Sequence, residues 1–248
     1  MKDTYITKSE RTFQNLNYSL YSDGTSHPLL FFFHGFTSNR HLGIMGRGEV
    51  LARLGFTVVA FDAPYHGDRD NGTFSQLSVS ARQKELMEIV IQNAHEAKWL
   101  YEKHLQAEQL ISKAPVFAFG VSMGAQVCFY LATIMPKLQT IVTLVGSPSF
   151  CDFYRWKQQQ YQWPDDLEFK IKLEKYQSLD PLIHSERLQN TNIFMGVGTQ
   201  DDVVPKHYAK QLAEKLKTSV YQEYETAHFS TPKMLDDAYC FLKKTLTF

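Results

Sequence analysis

Cysteine is scarce: 248 residues hold three, at positions 128, 151 and 240. An odd, widely spaced set makes no disulfide framework, and none of the three joins a histidine at zinc-site spacing. The N-terminus lacks the apolar core of a signal peptide, and no apolar run approaches the length of a membrane span. Net charge is also lacking. Lys plus Arg and Asp plus Glu each number 26, with no local basic cluster, which excludes the electrostatic footprint of a nucleic-acid or anionic-membrane binder. A dinucleotide fingerprint is missing too: Gly46-Arg47-Gly48 falls in an expected helix and lacks the third glycine. There are no internal repeats and no low-complexity segments. These absences leave a cytoplasmic protein that works without metal or organic cofactor, on a small molecule. Nothing in them opposes a homodimer.

What is present is apolar and ordered. The chain is 44% hydrophobic and 14% aromatic, and its length suits one α/β domain with a large core. Its centre is Gly120-Val121-Ser122-Met123-Gly124. The run Val116-Phe117-Ala118-Phe119 before it reads as a buried strand, and Ala125 to Ala132 after it has helical spacing. A G-x-S-x-G between strand and helix is a nucleophile elbow. Its serine stands clear on a sharp, strained turn, and the flanking glycines relieve the crowding of helix on strand. The helix N-terminus would stabilise an oxyanion, with the Met123 N–H as one donor.

Buried-strand runs are expected at Leu29–Phe33, Phe56–Phe61, Thr140–Val145 and Asn192–Gly198, an alternating last strand at Val220–Tyr224, and weaker edge strands over Thr12–Ser22. Helices are expected over Met45–Leu54, over Val79–Leu105 with His95 and His104 on its solvated side, around Tyr208, Leu212 and Leu216, and from Thr231-Pro232 to the C-terminus. Strands alternating with helices imply right-handed crossovers and a mostly parallel sheet. His34-Gly35-Phe36-Thr37 follows a buried strand, so the Phe36 N–H is the second oxyanion donor. In Asp62-Ala63-Pro64-Tyr65-His66-Gly67-Asp68, His66 and Asp68 read better as loop-stabilising groups than as acid–base catalysts, and Tyr65 as a pocket residue. From 150 to 190 the buried-strand signal stops and aromatics crowd together. This reads as a short helical lid over the strand ends; the competing reading has the aromatics anchor an ordinary helix to the core. Asp152 and Asp180 there read as cap or turn residues.

Ser122, an acid at 201 or 202, and His228 come in that order, each just after an expected strand. Ser122 needs a base to take its proton; an imidazole can, and a carboxylate must hold its tautomer. Together with His34-Gly35-Phe36-Thr37-Ser38, Asp62 to Gly67, Gly198 to Pro205 and Ala227-His228-Phe229, the elbow makes the chain resemble a bacterial α/β-hydrolase of the dienelactone-hydrolase-like, or small carboxylesterase, kind. The resemblance implies the α/β-hydrolase fold along nearly the whole chain. Its Gly-x-x-Asp-x-x-Val-Pro segment puts Asp201, rather than Asp202, in the acid position. The dienelactone hydrolases proper resemble enzymes with a cysteine nucleophile, whereas this chain has Ser122, which favours general ester hydrolysis. Thioesters, lactones and peptides share the triad chemistry; an aminopeptidase would anchor its substrate amine on Asp152, Asp165, Asp166 or Glu168. A ligand-binding sensor on the same fold is the non-enzymatic alternative. Tyr65, Trp156 and Phe229, with Phe36, are the expected pocket residues.

Overall fold

The computed structural model of the protein describes residues 5–246. One eight-stranded sheet runs through it. Its strands are β1 (Thr7–Phe13), β2 (Leu16–Ser22), β3 (Leu29–Phe33), β4 (Thr57–Phe61), β5 (Val116–Val121), β6 (Leu138–Leu144), β7 (Asn192–Gly198) and β8 (Ser219–Tyr224). Their order is β1-β2-β4-β3-β5-β6-β7-β8. The β1–β2 hairpin and the β2–β4 pair are antiparallel, and every other neighbour is parallel.

The apolar runs are uninterrupted because both faces of these strands are covered. In β3, Leu29, Phe31 and Phe33 point into one core, and Leu30 and Phe32 into the other. The first core packs against α4 (Leu86–Lys103) and α5 (Met123–Ile134). The second packs under α2 (Arg47–Arg53) and α9 (Pro232–Thr245). In α9, Thr231 caps the Met234 N–H, Pro232 occupies the first turn, and Met234, Ala238 and Leu242 are buried. Leu235 and Phe241 are only partly covered.

Local differences from the sequence expectation have identifiable causes. The segment over 12–22 is not all edge: β2 pairs on both sides, and its Ser19 is fully buried because Glu10 accepts its hydroxyl. The helix expected over 45–54 is α2, which starts after a left-handed Gly46, and an unexpected short helix, α1 (Arg40–Ile44), precedes it. Asn39 caps α1 through the His41 and Leu42 N–H groups. The long helix expected over 79–105 is two. Ser78 caps α3 (Val79–Lys84), and the chain re-enters α4 after Glu85. His95 is exposed, with its ring nitrogen 3.2 Å from the Tyr130 hydroxyl. His104 lies beyond the helix end and is half-buried, stacked on Phe13 and 2.9 Å from the Tyr18 hydroxyl.

Candidate active site

The parallel register brings the C-terminal ends of β3, β5, β6, β7 and β8 to one rim. Phe33 stands beside Gly120, Val121 beside Leu144, Leu144 beside Gly196, and Gly198 beside Tyr224. Residues just beyond those ends meet there, however far apart in sequence.

Ser122 sits at the β5–α5 junction with φ 56° and ψ −115°, a left-handed backbone that a serine seldom adopts. Leu144 fixes it by accepting its N–H at 2.8 Å. The helix can turn so sharply only because position 124 lacks a Cβ: one there would lie 2.1 Å from the Phe33 carbonyl oxygen. Ser122 Oγ is 2.8 Å from His228 Nε2, and His228 Nδ1 is 2.8 Å from Asp201 Oδ2. The carboxylate can only accept, so the ring carries its proton on Nδ1 and offers Nε2 to the serine. Asp201 is 2% exposed, and its other oxygen accepts the Val203 and Val204 N–H groups at 2.9 Å. That turn chemistry aims the carboxylate; the neighbouring Asp202 is exposed. Gly198 lets the two loops close up, since a Cβ there would lie 2.5 Å from the Thr226 carbonyl oxygen.

On the other side of Ser122 runs the loop from His34. A Cβ at Gly35 would be 3.6 Å from the Ser122 Cβ, so this backbone passes directly beside Ser122. Phe36 belongs to that loop and lines the same cavity, and Met123 is the first residue of α5, whose N–H has no intrahelical partner. A buried polar network holds the loop. His34 Nδ1 donates to the Gly35 carbonyl at 2.8 Å, and Nε2 accepts the Ala63 N–H at 3.0 Å. Burial lowers this imidazole to about 4, so it stays neutral. Asp62 accepts the Arg40 N–H, the Arg40 guanidinium and the Asp68 N–H. Asp68 takes a second guanidinium nitrogen at 2.6 Å, and His66 bridges the Pro64 and Phe36 carbonyls at 2.7 and 2.6 Å. His66 and Asp68 are therefore occupied in the loop. Arg40 is 5% exposed and Asp62 1% exposed. Asp62 opens the segment after β4 already singled out in the sequence, but nothing there pairs it with Arg40, the first residue of α1, 22 positions earlier.

A cavity of about 490 Å³ opens above Ser122. Phe36, Met123, His228 and Phe229 line it, and Phe229 is exposed at its mouth. Two expected pocket residues lie outside the lining. Tyr65 stacks on Phe74 and faces solvent, and Trp156 packs on Phe153 and the Lys157 ammonium. Instead Phe153 and Lys157, from the segment between β6 and β7, reach the cavity, as do Gln126, Gln83 and Arg47. The sequence reading counted Phe153 among the crowded aromatics but passed over the four polar residues.

That segment forms α6 (Cys151–Tyr161) and α7 (Leu167–Leu179). Its aromatics Phe150, Phe153, Tyr154, Trp163, Phe169 and Tyr176 are buried in the core that also covers α4 and α5. Lys172 and Lys175 pair with Glu85 and Glu88, and the Trp163 N–H donates to Ser80. Asp180, fully buried, accepts the Phe150 and Cys151 N–H groups at the start of α6. The other acids have local partners: Asp166 caps α7, Glu168 faces Lys172, Asp165 faces Lys170, and Asp152 faces Arg155. None of them lines the cavity. Among the described residues no cluster of three His, Cys, Asp or Glu side chains could hold a metal. No helix among them is long and apolar enough to cross a membrane.

A family model described as the alpha/beta hydrolase fold matches residues 28–169. The chain belongs to the alpha/beta hydrolase fold family. Within the curated members it is 26% identical over 213 residues to the putative esterase YitV of Bacillus subtilis, covering 82% of this chain and 79% of that one. It is 25% identical over 232 residues to the esterase YjfP of Escherichia coli, covering 88% and 89%. Among solved structures, TT1662 from Thermus thermophilus superposes with a TM-score of 0.79 at 22% identity, over 98% and 99% of the two chains. For an alpha/beta hydrolase, the rim of the parallel strands is where ligand sites are built.

Proposed function

We propose that the protein is a serine hydrolase that cleaves carboxylic esters. The reading is carried by the relay of Ser122 Oγ to His228 Nε2 to Asp201, 2.8 Å at each step. Ser122 Oγ attacks the ester carbonyl carbon while His228 Nε2 takes the hydroxyl proton. Asp201 holds the ring tautomer and stabilises the imidazolium that results. The oxyanion forms between the loop carrying Phe36 and the start of α5, where the Phe36 and Met123 N–H groups donate to it. One such donor contributes roughly 3–4 kcal/mol in comparable sites. His228 returns the proton to the leaving alcohol, and the acyl group stays on Ser122. Water, deprotonated by His228, then releases the acid. No step needs a metal or organic cofactor.

The esterase names of YitV and YjfP support this reading over other hydrolase chemistry. The cavity lining supports it over an aminopeptidase, since no carboxylate is there to hold a substrate amine. An intact relay also argues against a sensor that has lost turnover. Thioesters and lactones would pass through the same steps. In this reading α6 and α7 act as the lid, with Phe153 and Lys157 as their contribution to the roof of the cavity.

The test is turnover of a panel of esters, thioesters and lactones by wild type and by Ser122→Ala. We expect ester hydrolysis in the wild type and a loss of at least ~10³-fold in the variant, with its melting temperature retained. Ester turnover that survives the substitution refutes the nucleophile assignment.

A further inference from the structure

The α6 helix carries one cation into the cavity beside Ser122. Lys157 is 4% exposed, and its ammonium lies 4.7, 5.2 and 5.8 Å from the ring centres of Trp156, Phe153 and Tyr161. The rings offset part of the lost hydration. They do not saturate the group. An ammonium has three N–H donors, and its hydrogen bond, to Gln160 Oε1, is long at 3.3 Å. No carboxylate stands within ion-pair distance of it among the described residues. Burial pushes it down to about 8, against the pull of Asp201 and Asp202, so it is still charged at neutral pH.

Its surroundings are unsatisfied in the same way. Gln126, 1% exposed and one turn along α5 from Ser122, has no partner for either amide atom. Gln83 Oε1 and Arg47 Nε are likewise buried without partners. All four residues line the cavity, and no Asp or Glu does. Buried polar atoms left unpaired cost stability in the free protein, and a cluster of them around a cavity marks where a ligand supplies the partners.

Resting on the reading of Ser122 as an ester-cleaving nucleophile, we propose that this cavity selects esters that also carry a carboxylate, bound by the Lys157 ammonium with the Gln126 amide beside it. A single negative charge fits better than a phosphate dianion. The unpaired set offers one ammonium and the Arg47 Nε, the rest of whose guanidinium already donates to the Gly43 carbonyl and Ser230, and it includes acceptors, such as Gln83 Oε1, that would repel a second charge. Lys157 is thus a specificity residue that touches the substrate away from the bond being cut.

The test uses two matched pairs of esters. Monomethyl glutarate carries the charge on the acyl side; its neutral isostere has an isopropyl group in place of the carboxylate. The acetate ester of γ-hydroxybutyrate, with its own isopropyl isostere, carries the charge on the alcohol side. The readout is the ratio of kcat/KM, charged over neutral, which cancels any general loss of activity. We expect the wild type to favour the charged member of at least one pair by roughly tenfold or more, the scale of one charged hydrogen bond. That ratio should fall about tenfold in Lys157→Met and partly recover in Lys157→Arg. Should Lys157→Met fail to fold, the wild-type ratio and its fall in Gln126→Leu decide the matter. Turnover with no charge preference in either pair, or a preference that survives Lys157→Met, overturns this inference and leaves the esterase intact. Failure to cleave any charged ester also overturns it. Failure on all four esters, with no labelling of Ser122 by a fluorophosphonate, removes the esterase reading itself.

Discussion

The two sides of Ser122 are built on different principles. On the elbow side the backbone is held by steric closeness: helix α5 lies against strand β3 with no room for a Cβ at position 124. On the facing side, the loop carrying Phe36 is held by buried charge and hydrogen bonds running from His34, Arg40 and Asp62. The first tolerates no added volume, and the second no lost partner. In the proposed mechanism both serve one end, which is to fix backbone N–H groups where an oxyanion develops before any substrate arrives.

Removing a partner should have the larger effect. Asp62→Asn removes the most buried of the three carboxylates around the Arg40 guanidinium, leaving Asp68 and, at 3.6 Å, Glu10, and breaking such a pair typically costs about 3–5 kcal/mol. Denaturant unfolding of the variant checks this; a change under ~1 kcal/mol would show that Asp68 and solvent suffice for Arg40. Adding volume comes next. Gly124→Ala forces the helix off the Phe33 carbonyl and should destabilise by ~3 kcal/mol. It should also displace Ser122, lowering kcat at least ~10²-fold. Unchanged kinetics would mean the elbow is less tightly packed than these distances imply.

The smallest effect concerns pH. His34 sits at about 4 when folded, below the 6.5 of an exposed imidazole, because burial opposes its charge. Protonation therefore favours the unfolded chain. This group's contribution is complete above pH 6.5 and drains away as pH falls toward 4, by up to ~3 kcal/mol. Subtracting the stability profile of His34→Gln from that of the wild type isolates the term. A flat difference would show that the loop opens and hydrates the ring at little cost.

The same contrast explains what could be read in advance. The elbow and the strand runs are local patterns, each readable within a dozen residues. A mostly parallel sheet followed from them because strands alternate with helices and their apolar runs are covered on both faces; the α/β-hydrolase fold and the choice of Asp201 came from the family resemblance carried by the elbow, the acid segment and His228. The polar network was half legible. His66 and Asp68 read as loop-stabilising groups, but Arg40 and Asp62 are ordinary charged residues until the register of β3 and β4 brings their loops together. The short α1 had no apolar spacing long enough to mark it, and the break at Glu85 lies inside a run read as one helix. The pocket was half-read for a related reason. Of the insert's aromatics Trp156 was expected in the pocket, but it packs against the edge of the core, most of its neighbours are buried there, and Phe153 and a lysine reach the cavity instead. Periodicity gives the buried face of a helix; it does not say whether that face meets core or cavity.

The central claim is that folding makes Ser122, alone among the serines, a nucleophile. Treatment of the native protein with a fluorophosphonate, followed by peptide mapping, tests it most directly. The account predicts one adduct per chain, on Ser122, formed far more slowly in His228→Ala and absent after denaturation. An adduct on another residue, or labelling of Ser122 at the same rate without His228, would contradict it.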